Sequence, residues 1–166
     1  MAHWLVKQEP SSYSWGRLVR DRRTRWDGVH NALALQHLRR MVVGEEAIFY
    51  HSGDERACVG ILRIASPPRP DPNDTRGSWY VEVVPLRALP RTVPLAELRQ
   101  DPTFTGIELL RNSRLSVMPL PDAAWARLLE RSAMPAPARP PVTEGTPRRA
   151  TPRARPQRAP ARSRTR

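Results

Sequence analysis

Residues 1–132 are predicted to form a small, curved α+β domain, a partly closed barrel flanked by short helices, and residues 133–166 a disordered basic tail. Three observations predict this division. Five short runs rich in β-branched and aromatic residues are separated by brief amphipathic stretches. Hydrophobic residues make up only 39% of the 166 positions and 19 positions are proline, too many to spread through regular elements. From Met134 onward the chain repeats Pro, Ala, Arg and Thr without an aromatic residue, so it cannot bury enough surface to offset chain entropy.

The elements follow in order. His3-Trp4-Leu5-Val6-Lys7 predicts a strand closed by Pro10, and Ser11, Ser12 and Ser14 offer caps for a helix over 15–20. Residues 20–25 read as a charged connector. Trp26-Asp27-Gly28 then reads as a turn, because Gly tolerates positive φ and Asp bonds its own backbone. Asn31 can cap the next helix, whose Ala34, Leu35, Leu38, Met41 and Val42 form one apolar stripe ahead of Gly44. Residues 46–51 and 57–65 are strands joined through Ser52-Gly53-Asp54-Glu55, hence close antiparallel neighbours. The four prolines between 66 and 74 predict a surface loop with no regular structure. A strand follows over 79–87, a short helix after Pro94 and a helical turn over 107–111. A last strand covers 115–119, and an amphipathic helix begins at Pro121 with Trp125, Leu128 and Leu129 on its apolar face. Trp4 and Trp125 read as core.

The formal charge of +12 is unevenly placed. From residue 133 on, nine Arg face one Glu (+8), whereas residues 1–132 hold nineteen basic against fifteen acidic residues (+4). Such a tail suits nucleic acid, since each neutralised phosphate releases condensed counterions. Lys7 is the one lysine among 28 basic residues, so an arginine-favouring, GC-rich genome accounts equally for the tail's character. The single cysteine, Cys58, excludes an internal disulfide framework and a multi-cysteine zinc site, and its apolar surroundings predict a buried, inert thiol. No apolar run approaches the ~18 residues of a membrane span. A soluble, cytoplasmic, monomeric protein without cofactor or metal is expected, with no membrane partner.

Five ordered motifs carry a family resemblance. Trp4-Leu5-Val6-Lys7-Gln8-Glu9-Pro10, Trp26-Asp27-Gly28-Val29-His30-Asn31 and the run from Gly44 to Ser52 resemble the EVE-domain family. Val93-Pro94-Leu95-Ala96-Glu97-Leu98 and the run from Ser113 to Leu120 match its later signatures. The resemblance covers about residues 2–132. It implies a PUA-like fold, a small mixed or antiparallel β-barrel flanked by short helices and related to the YTH and ASCH domains.

The same resemblance implies a reader of modified bases in DNA or RNA, its partner being nucleic acid that carries a modified cytosine or a methylated base. By motif, the base pocket would involve Trp26, Asp27, Gly28, Val29, Asn31, His51, Ser52, Ser113, Arg114 and Leu115. Trp79 is a further wall candidate, although the loop leading to it looks shorter than in eukaryotic relatives. Lys7, Arg25 and Arg114 are candidate phosphate contacts, which position a strand without reading it. The chemistry fits these residue types. A tryptophan face recovers ~1–3 kcal/mol per stacked base, and an Asn amide offers a donor and an acceptor to a base edge.

Each residue also has a plainer role. Trp26 can be core, Asn31 a helix cap, His51 a satisfied structural histidine, and Arg114 the partner of Asp27 or Glu9. Tyr50 alternates away from Phe49 and His51 and cannot share their face. Two other functions compete with the reader. One is an ASCH-like enzyme acting on nucleic acid or a nucleotide. Ser52 directly adjoins His51, however, and no G-x-S-x-G elbow, Walker loop or metal cluster is present. The other is an interaction module whose tail binds while the domain serves as scaffold.

Overall fold

The computed structural model describes residues 1–137. At its centre β1 (His3–Gln8) and β3 (Glu46–His51) run parallel, and β7 (Val117–Leu120) lies antiparallel on the outer side of β1. Beyond β3 come β4 (Ala57–Ile64), β6 (Trp79–Pro94) and the edge strand β2 (Thr24–Trp26), each antiparallel to its neighbour. A two-residue strand, β5 (Arg69–Pro70), pairs with the start of β6. β3 and β4 are buried on both faces, which is why they read as near-continuous apolar runs.

The sheet is curled. Trp26 on β2 and Phe49 on β3 have β6 and β4 between them, yet their ring centroids lie 5.3 Å apart, edge to face at 90°. Side chains from strands so separated can meet only across a concave face, so the α+β fold is a half-barrel. Trp15 and His51 complete the inner aromatic cluster, at 5.9 Å and 5.3 Å from Phe49.

Local chemistry sets the helices. α1 (Trp15–Asp21) is capped by Ser14, whose hydroxyl accepts the Arg17 N–H at 3.1 Å. α2 (Ala32–Leu38) is capped by Asn31, whose Oδ1 accepts from Leu33 and Ala34 at 3.0 Å each. α3 (Leu95–Gln100), a 3-10 turn (Pro102–Phe104) and α4 (Glu108–Arg111) lead to β7, and α5 (Asp122–Ala133) closes the unit. Asp101 accepts from Arg127 at 2.7 Å and Arg131 at 2.8 Å, pinning α5 to the turn after α3. Arg91 grips Glu97 with two bonds of 2.7 and 2.9 Å, fixing α3 to β6. Trp4 and Trp125 are core, as expected; the Trp4 indole donates to the buried Glu45 at 2.6 Å. Cys58 is fully buried, and burial pushes its thiol pKa well above the usual range.

Four expectations are corrected. The charged connector over 20–25 ends in a strand, so Trp26 closes β2 rather than opening a turn. α2 stops at Leu38, leaving Val42 58% exposed instead of on the helix's buried stripe. The proline loop contains β5. The strand foreseen over 79–87 continues to Pro94, because Pro85 and Pro90 fall at or beside bulges in its pairing with β4, where a missing N–H costs little. The predicted tail over 133–166 lies, from residue 138 on, outside the described residues.

Candidate functional site

Two clefts open on opposite faces of the sheet, and alternation along β1 and β3 decides which residues each receives. Gln8 pairs with His51 and Lys7 with Tyr50, so the first pair faces the concave side and the second the other side.

The concave cleft has a volume of about 460 Å³ and is lined by Gln8, Ser12, Tyr13, Thr24, Arg25, Trp26 and Asp27. β1 supplies the amide, the loop into α1 supplies Ser12 and Tyr13, and β2 with the residue after it supplies the rest. Trp26 is only 6% exposed, so its ring is an inner wall backed by Phe49 rather than an open platform. The Arg25 guanidinium sits 4.6 Å from the Tyr80 ring centroid, a cation–π contact that holds it at the rim. Partial burial, with the nearby carboxylates of Asp71 and Asp74, raises the Asp27 pKa above the ordinary carboxylate value, while its backbone hydrogen bond and Arg25 oppose the rise. Gly28 takes φ of 67°, the left-handed turn that lets the chain leave β2 and reach the cap of α2.

The other cleft, about 270 Å³, gathers Lys7, Tyr50, Ser52, Arg56, Arg99 and Ser113 with apolar residues of α3 and α4. The Lys7 ammonium donates to the Ser113 carbonyl.

The structure therefore divides the residues that the motifs grouped. Trp26, Asp27 and Arg25 share the concave cleft, whereas Ser52, Ser113 and Lys7 lie across the sheet from it. His51 faces the concave side, but both its nitrogens are engaged. Nε2 accepts the Trp15 backbone N–H at 2.9 Å, so the ring proton sits on Nδ1 and is donated to Glu55. Neither nitrogen is left to activate Ser52. Val29 and Leu115 are buried core residues, at 4% and 0% exposure. Asn31 spends its oxygen on the α2 cap. The Arg39 guanidinium lies over the Trp79 ring at 4.5 Å from its centroid, and Trp79 does not line the concave cleft. Arg114 lines neither cleft, and among the described residues it forms no ion pair with Asp27 or Glu9. Gln8, Ser12, Tyr13 and Thr24 are not among the motif-derived candidates. Period-two alternation points to Gln8, opposite in facing to Lys7; the other three carry no sequence signal that separates them from ordinary loop and edge positions.

The EVE domain family model matches residues 2–131. The chain belongs to the EVE domain family. Human thymocyte nuclear protein 1 is 33% identical over a 154-residue alignment that covers 72% of this chain and 68% of that protein. The crystal structure of human THYN1 in complex with 5-methylcytosine-containing DNA superposes with a TM-score of 0.75 at 28% identity, covering 82% of this chain and 100% of that one. The NMR structure of Rpa0253 from Rhodopseudomonas palustris gives 0.75 at 34% identity over 80% of this chain and 93% of its own. An ASCH protein of Zymomonas mobilis shares the fold alone, with a TM-score of 0.54, 9% identity, and 78% and 94% coverage. Among the described residues of this EVE domain no helix is long and apolar enough to cross a membrane, and no group of His, Cys, Asp and Glu is placed to hold a metal ion.

Proposed function

We propose that this chain is a non-catalytic reader of a modified nucleobase, a modified cytosine or methylated base in DNA or RNA, held in the concave cleft. The lining of that cleft carries the reading. At about 460 Å³ it falls within the roughly 300–1,000 Å³ of small-ligand sites, so one base fits. Asp27 offers a carboxylate to accept from an exocyclic amine, as Asp and Glu do from cytosine N4. Gln8 offers a donor and an acceptor to the same edge, and Ser12, Tyr13 and Thr24 offer hydroxyls. Trp26 closes the wall, and Arg25 stands at the mouth where a phosphate would pass. The related human protein, solved with 5-methylcytosine DNA, supports the substrate class.

A base must leave its stack to enter, at a cost of a few kcal/mol that falls in single strands. The arginine-rich segment after residue 133 adds sequence-independent phosphate affinity in this reading. Engagement of both His51 nitrogens within the protein favours binding over chemistry. The test is anisotropy with oligonucleotide pairs, methylated and unmethylated at cytosine, as DNA and RNA at one stated salt concentration. The methylated member should bind more tightly, within the ~1–3 kcal/mol that one carbon provides. Trp26→Phe should narrow that preference, and Gln8→Ala should weaken both members. Equal affinity within every pair would overturn the reading.

A further inference from the structure

The second cleft holds charge that the protein leaves unanswered. Lys7, Arg56 and Arg99 line it without any carboxylate in the lining. Among the described residues none of the three lies within salt-bridge distance of an acid. Asp54 and Glu55 share a neighbouring groove with Arg56 and Arg99 but do not enter this one. Lys7 is half-buried, its pKa lowered by burial, and among the described residues its ammonium donates to the Ser113 carbonyl alone. Tyr50 is 3% exposed, and its hydroxyl, near Arg56 and Arg99, makes no hydrogen bond among the described residues. Arg56 adopts φ of 43°, a left-handed conformation uncommon outside glycine, and its side chain donates to the Gly53 carbonyl at 3.1 Å. A half-buried cation with a single carbonyl partner, and a hydroxyl that opens on the cleft without one, are groups that an anion would satisfy.

We propose that this cleft binds a phosphate monoester, the group of a nucleoside monophosphate or of a strand's 5′ end, through Lys7, Arg56, Arg99 and the Tyr50 hydroxyl. A monoester carries about −1.5 to −2 charges and three acceptor oxygens, a closer match to three cations than the single charge of a diester. Guanidinium forks meet such oxygens two at a time, and Ser52 and Ser113 supply further donors. The site lies across the sheet from the concave cleft and stands apart from the base reading.

The test uses the full chain at constant ionic strength, with inorganic phosphate, a nucleoside 5′-monophosphate, and unmodified single strands that differ only in a 5′-phosphate or 5′-hydroxyl. Saturable monophosphate binding is expected, weakened about ten-fold in Arg99→Gln, the loss of one charge-assisted contact. Tyr50→Phe should weaken it several-fold, and Arg87→Gln, an equal loss of charge outside the cleft, should leave it unchanged. A preference for the 5′-phosphorylated strand that Arg99→Gln removes assigns the phosphate to a strand end. Monophosphate binding without that preference assigns it to a free nucleotide, and either result supports the site. Absent monophosphate binding, or binding equally strong in Arg99→Gln and Lys7→Gln, overturns it. Methyl discrimination in the concave cleft is read separately, so neither failure mimics the other.

Discussion

His51 accepts the backbone N–H of Trp15 through Nε2 at 2.9 Å, tying the end of β3 to the first residue of α1. The other nitrogen donates to Glu55, so one ring fixes both the helix that borders the concave cleft and the turn after β3. His51→Ala should lower unfolding stability by about 1–3 kcal/mol, the cost of a partly buried donor left without its acceptor. Urea denaturation checks this. Unchanged stability with lost base binding would instead make His51 a ligand contact.

Trp15 is also held from below. A Cβ built on Gly60 would lie 2.6 Å from two atoms of the Trp15 ring, so the indole rests directly on β4. Gly60→Ala must push the ring off Phe49 and disturb the inner cluster, and about 1–3 kcal/mol of destabilisation is expected from such overpacking. A shift in tryptophan fluorescence should accompany the loss. Alanine at Gly106, where nothing lies within 4 Å of the added carbon, provides the control.

Much of this arrangement could be read from the chain, for local reasons. Ser14 and Asn31 cap the helices expected of them because a cap depends on residues within one turn. The strands around Phe49 and Ile61 announce themselves by burial on both faces. What escaped depends on distant partners. Thr24-Arg25-Trp26 is polar and short, as edge strands are, and becomes a strand only because β6 offers Glu82 and its neighbours as pairing partners. The motifs placed Lys7, Ser52 and Ser113 near Trp26, yet alternation along β1 turns Lys7 to the opposite face, where Ser52 after β3 and Ser113 in the turn after α4 also lie. Gly60 showed no sign of its role, since the ring above it comes from 45 positions earlier.

Asp101 makes stability depend on acid. Burial alone would raise its pKa, but hydrogen bonds from Arg127, the Thr103 N–H and Arg131 outweigh burial and hold it far below the usual carboxylate range. A depressed folded-state pKa contributes stability that is present above the unfolded value of about 3.9 and is lost as pH falls through the folded value. Asp101→Asn should destabilise at neutral pH by about 2 kcal/mol. That is less than the 3–5 kcal/mol of a fully buried broken pair, because both arginines are partly exposed. Thermal melts from pH 7 down to strong acid should show the native chain converging on the variant.

Asp27 titrates in the opposite sense. Its folded-state pKa is raised, so the stability it contributes is fully present below the unfolded value of about 3.9 and is lost as pH rises through the folded value. Asp27→Asn should therefore leave the chain at least as stable at neutral pH, within the ~0.5 kcal/mol usual for exposed positions. Binding follows the reverse order. An exocyclic amine donates to the ionised carboxylate, so affinity for a cytosine-type base should rise as pH increases through the Asp27 pKa and level off above it. In the Asp27→Asn variant the amide oxygen still accepts but carries no charge, so affinity should fall by about ten-fold at neutral pH and lose that pH dependence. Anisotropy titrations of both chains between about pH 4 and 8, at fixed ionic strength, separate the two effects. A flat pH profile in the native chain would place the amine elsewhere in the cleft, on the Gln8 amide.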